Sequence, residues 1–113
     1  MSEPLRTIRD AHRPHGRRLG IIVGMPAPDD LLDGIAEILT HSGELPARRL
    51  ARLRPRPGET TTRPQDVAWF VQRFGHEYTT VVLDPGMLSP AAEAACRDEN
   101  CTLVVTDFAL SQR

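Results

Sequence analysis

The stretch Leu19-Gly20-Ile21-Ile22-Val23-Gly24 has strand length and carries no charge, the pattern of a strand covered on both faces. Pro26 and Pro28 follow and break it. Leu31, Leu32, Ile35, Ile38 and Leu39 then recur at helical spacing, which predicts a helix from about Asp29 to Ser42 with one buried stripe. Asp29, Asp30 and Asp33 stand in its first turn, where carboxylates complement the helix dipole, and Gly43 supplies a left-handed stop.

The next segment admits two readings. Ala51 and Leu53 facing inward, with Arg52 and Arg54 outward, suggest a short edge strand within Ala47 to Arg54. Arg and Pro at 54–57 would blunt that edge against pairing with other chains. A helix over Pro46 to Leu53 competes. Pro57 to Thr61 reads as an exposed loop. Thr62-x-x-Gln65 has the form of a capping box, Val67, Phe70, Val71 and Phe74 form a helical stripe, and Gly75 ends it. Thr79 to Leu83 is a β-branched strand stopped by Asp84-Pro85-Gly86. Ser89-Pro90 opens an alanine-rich helix that Asn100 closes, and Thr102 to Thr106 is the last strand.

The resulting order, β-α-β-α-β-α-β, predicts a three-layer α/β/α fold. Its sheet would be four-stranded and mainly parallel, with the first strand central and the Arg-rich strand at an edge. That order is of the resolvase or flavodoxin kind. Residues 1–18 lie ahead of it with five Arg, two acids and few large apolar groups, and are expected to be a flexible basic tail. Residues 19–113 would form the single α/β domain, with Asp107 to Arg113 as a short tail.

Composition adds exclusions. All 14 basic residues are Arg and none is Lys, a bias expected of a GC-rich bacterial genome. Mechanisms that require a lysine (a Schiff base or a phosphate-loop lysine) are thereby excluded. The net charge of -1 argues against a chain that binds polyanions over its whole surface. Cys96 and Cys101 do not make a disulfide framework, and no apolar run is long enough to span a bilayer, so a cytoplasmic, non-membrane location is expected.

Candidate chemistry gathers in three places. In open parallel sheets ligands collect at the carboxyl ends of the strands. Asp29, Asp30, Asp84 and Asp107 would stand there as oxygen ligands, with Mg²⁺ the ion they would suit, although helix and turn chemistry also accounts for these acids. Arg48, Arg49, Arg52, Arg54 and Arg56 form an acid-free basic cluster suited to phosphate or nucleic acid, unless Asp33, Glu37 or Glu44 neutralise it. Trp69, off the apolar stripe, is an interaction anchor or else packs beneath the 55–61 loop. The four His lack ligand spacing, Gly20 and Gly24 make no dinucleotide fingerprint, and the cysteines read as buried structural thiols.

Val81 to Met87 has the look of a receiver-domain strand and turn, but that family's lysine and its acid pair are absent. Toprim domains would require a Glu where Gly24-Met25 stands. Arg63-Pro64-x-x-Val67, and Leu83-Asp84 followed by Leu88-Ser89, resemble the catalytic domain of resolvase-type serine recombinases across about residues 19–107. The resemblance implies that family's fold, but no Ser lies between Leu19 and His41 to act as nucleophile. Pro85 and Pro90 stand where arginines would grip the scissile phosphate. The expectation is a non-cleaving regulatory or protein-interaction module, associated with a protein partner or its own copies and with DNA nearby. The alternative is a ligand- or divalent-metal-binding, hydrolytic domain built on the rim carboxylates.

Overall fold

The computed structural model describes residues 1–112. A helix α1 (Glu3–Ala11) precedes strand β1 (Ile21–Gly24), followed by helix α2 (Asp29–His41), the short α3 (Pro46–Arg49), β2 (Leu50–Leu53), α4 (Pro64–Phe74), β3 (Thr80–Leu83), α5 (Pro90–Asp98) and β4 (Thr102–Val105). The four strands form one all-parallel sheet in the order β2-β1-β3-β4. Ile22 lies between Ala51 and Val81, and every residue of β1 and β3 is buried. The predicted α/β architecture and the central first strand are both present.

Where two readings competed, both hold in part: Pro46–Arg49 is one helical turn and Leu50–Leu53 is the edge strand. Leu53 is buried while Arg52 and Arg54 are exposed, as alternation requires. Gly43 adopts φ +78° directly after α2, and Ser89 caps α5 by accepting from the Ala92 N–H at 3.1 Å. The capping box at Thr62 does not form. Arg63 is the residue preceding α4 and makes no side-chain cap, because Thr62 is drawn inward to a different task. Its hydroxyl accepts from the Met25 N–H at 2.8 Å and lies against the carbonyls of Met25 and Leu53, joining the ends of β1 and β2.

The segment expected to be a tail is structured. Along α1, Pro4 and Ile8 are buried, Ile8 completely. Leu5 leans onto Gly34 of α2, where any side chain would collide with it. Topology supplies the reason. Right-handed crossovers put α2 on one face, over β1 and β2, and carry α4 and α5 to the other. That leaves β3 and β4 uncovered on the α2 side. There α1 packs against α2 and β4, joined by a 3₁₀ turn at Phe108–Gln112 that contacts both α1 and α2. Phe108 is buried, so most of the expected C-terminal tail is also part of the fold; Arg113 lies outside the described residues. Arg18 completes the attachment: its guanidinium donates to the carbonyls of Gly75 (3.0 Å), Tyr78 (2.9 Å) and Glu99 (2.6 Å). These carbonyls follow α4 and α5, at the negative ends of both helices. Among the described residues no helix is long and apolar enough to cross a membrane.

Candidate functional site

The carboxyl rim of the sheet does not assemble the four acids into a ligand set. Asp84 Oδ1 accepts from the Phe108 N–H at 3.0 Å, and Oδ2 from the Gly86 N–H at 3.4 Å. Asp107 Oδ1 accepts from the Ala109 N–H at 2.9 Å. Both carboxylates are thus turned onto turn amides, while Asp29 and Asp30 lie exposed in the first turn of α2. Among the described residues, no three His, Cys, Asp or Glu side chains group as a cation site would require.

At the opposite, amino end of the sheet is a cluster that spacing in the sequence does not reveal. His12 Nδ1 lies 2.7 Å from Thr80 Oγ1, and Nε2 lies 2.8 Å from Glu44 Oε2. Glu44 Oε1 accepts from the Gly20 N–H at 2.6 Å. With Nε2 carrying the proton, the ring donates to the carboxylate and accepts the threonine hydroxyl, so each polar atom has a partner. A hydroxyl–imidazole–carboxylate chain is the arrangement that activates a nucleophile. Here the His12 and Glu44 side chains and the whole of Thr80 are fully buried, which closes the hydroxyl to any substrate. The chain instead ties the segment after α1 to β3 and to the loop following α2. Sixty-eight residues separate His12 from Thr80, so only the tertiary fold joins them.

A cleft of about 440 Å³ runs between α1 and α2, lined by Arg9, Arg13, Glu37 and His41 among others. Its basic groups are already engaged: Arg9 with Asp10, Arg13 with the Arg9 and His12 carbonyls, His41 with the Glu37 carbonyl. The two cysteines are buried and free. Burial pushes the Cys96 thiol up to about 12, and raises Cys101 as well despite the neighbouring Arg18. Neither is available as a thiolate near neutral pH.

The third region, where β2 meets α4, differs in kind. Trp69 is 58% exposed rather than packed under a loop. The Phe74 ring meets it edge-on, with centroids 6.3 Å apart, and the Arg73 guanidinium lies 5.8 Å from its centroid. These neighbours hold an indole that borders two hollows. One, of about 300 Å³, is lined by Arg52, Leu53, Arg54, Arg56, Thr62, Asp66, Trp69 and Phe70. The other, of about 470 Å³, is lined by Arg56, Gln65, Asp66 and Trp69.

The Arg cluster is divided between two ends of β2. Arg48 and Arg49 border a separate hollow with Leu19, Gly43 and Leu45, whereas Arg52, Arg54 and Arg56 share the Trp69 groove. Arg56 is held by two contacts to Asp66, at 2.9 and 2.6 Å, and that guanidinium lowers the carboxyl of Asp66 below its ordinary range. Glu59 is paired in the same way with Arg63. Among the described residues, neither Arg52 nor Arg54 reaches a carboxylate. Glu44, one of the three acids named above as neutralisers of the cluster, is committed to His12. No protein-family model matches this chain, and no curated protein matches it either.

Proposed function

We propose that this chain is a non-catalytic interaction module, on a resolvase-like α/β scaffold without its nucleophile, that docks an anionic partner through the β2–α4 face. The observation that supports this reading is the meeting of an exposed tryptophan with two uncompensated arginines. Large exposed aromatics and arginines are the side chains most enriched at binding hot spots. The face is positive locally although the chain is not, since its carboxylates, Asp66 and Glu59, are each occupied by an arginine. The alternative built on rim carboxylates has no comparable support, because Asp84 and Asp107 are spent on backbone amides.

Retention on an immobilised sulfated polysaccharide tests the proposal. The native chain should bind at low ionic strength and elute as salt rises. The double substitution Arg52→Glu/Arg54→Glu should abolish retention. Arg6→Glu/Arg9→Glu, the same charge change on exposed positions of α1, should leave most of it. Equal losses from both pairs, or no retention of the native chain, would defeat the reading. Light scattering identifies the remaining alternative occupant, a second copy of the chain.

A further inference from the structure

We infer that the occupant of the β2–α4 groove is a single strand of nucleic acid, its bases stacking on Trp69 and its phosphates taken by Arg52 and Arg54. The inference rests on the β2–α4 face being the docking surface and adds to it the chemistry of the partner.

Three features of the groove lead to this occupant. The first is an aromatic platform. Trp69 leaves more than half of its surface in solvent, yet it is positioned by Phe74 and Arg73. An indole held in this way loses little freedom on stacking against a base. An acidic peptide would satisfy the arginines but has no use for such a ring beyond apolar contact. The second is the kind of cation present. The guanidinium is a planar fork that matches two phosphate oxygens at once. Arg52 and Arg54 extend from the exposed edge of the sheet, and the carboxylate that shares their groove, Asp66, is held by Arg56. Arg56, by contrast, is pinned to Asp66, which makes the pair a neutral divider between the two hollows on either side of Trp69.

The third is shape. Duplex bases are already stacked and paired, so their faces are closed to an indole, whereas a single strand offers every base as a stacking partner. The groove runs past Arg52, Leu53 and Arg54 at the end of β2, and Arg48 and Arg49 add positive charge around a separate hollow at the other end of the same edge. A flexible strand can follow that edge.

Trp69 is the only tryptophan in the chain, so its fluorescence reports on the groove directly. The probes are an oligothymidylate of about twelve nucleotides, a duplex of equal length, and polyglutamate. At low salt the oligothymidylate should quench Trp69 and bind at least roughly tenfold more tightly than either competitor. Anisotropy of a labelled oligothymidylate should show Trp69→Ala weakening binding by roughly 5- to 150-fold, the range expected for one lost stacked base. Trp69→Phe should recover part of that loss. Arg52→Glu/Arg54→Glu should weaken binding and flatten its dependence on salt. If duplex or polyglutamate binds as well as the single strand while quenching Trp69, the nucleic-acid inference falls and the docking face stands. Oligothymidylate binding that leaves Trp69 unquenched overturns both, as does the absence of binding by all three probes.

Discussion

A buried carboxylate is tolerated only when its charge is shared, and Glu44 shares its charge with His12 and the Gly20 amide. Replacing His12 by Ala strips Glu44 Oε2 of its partner inside the fold and leaves only the Gly20 amide on Oε1. The expected loss is about 3–5 kcal/mol of folding stability, measured as a shift in urea midpoint. Thr80→Val removes a single neutral bond and should cost about 1–2 kcal/mol. Equal losses from the two would mean that the carboxylate is not the critical member. The thiols carry a second prediction at this scale. Burial raises Cys96 from an ordinary 9.0 to about 12, so the folded state favours the neutral thiol. Its contribution to stability is complete below the unfolded value and declines as pH rises from about 9 towards 12. Native protein near neutral pH should therefore resist alkylation at Cys96 and Cys101, and both should label on addition of denaturant. Rapid native labelling would contradict their burial.

Among the elements, α1 departs furthest from what its composition suggested. Five Arg and two Pro in residues 1–18 describe a solvated leader, and the three residues that matter, Pro4, Leu5 and Ile8, are too few to register as a stripe. They suffice because a receiving surface awaits them on α2 and β4. Deleting residues 1–11 should therefore lower the melting temperature markedly, whereas loss of a true tail would be neutral. Ile8→Ala alone should cost about 2–5 kcal/mol, by lost burial and the cavity left behind. Thr62 shows the same dependence on context. A residue of capping type, in capping position, spends its hydroxyl on the chain ends of β1 and β2.

For the whole molecule, the α1 anchor and the proposed docking face lie on different surfaces. The α1 helix packs on the side of the sheet held by α2, and the Trp69 groove lies where β2 meets α4. Effects at separated sites should add rather than couple. Ile8→Ala is thus expected to lower the unfolding midpoint while leaving polyanion retention unchanged at temperatures where the variant is folded. A parallel loss of retention would show that the groove depends on α1.

The sequence by itself determined the alternation of strands and helices, the parallel sheet and most element boundaries, and left the Arg-rich segment open between edge strand and helix. These follow from local periodicity and from proline and glycine, which act on their immediate neighbours. Trp69 and the Arg cluster were legible as candidates from their place off the apolar pattern, but the exposure of Trp69 was decided by the tertiary structure. Tertiary structure alone decided which arginines are free, since Asp66 and Glu59 take Arg56 and Arg63 while Arg52 and Arg54 are left. It also decided the fate of the rim acids: Asp84 is taken by the Phe108 amide of a later turn, Asp107 by the neighbouring Ala109 amide, and Asp29 and Asp30 stay exposed. The covering helix α1 and the His12–Glu44–Thr80 chain belong to the same class. Their partners lie tens of residues away, and no pattern within one segment records a contact whose other half is elsewhere in the chain.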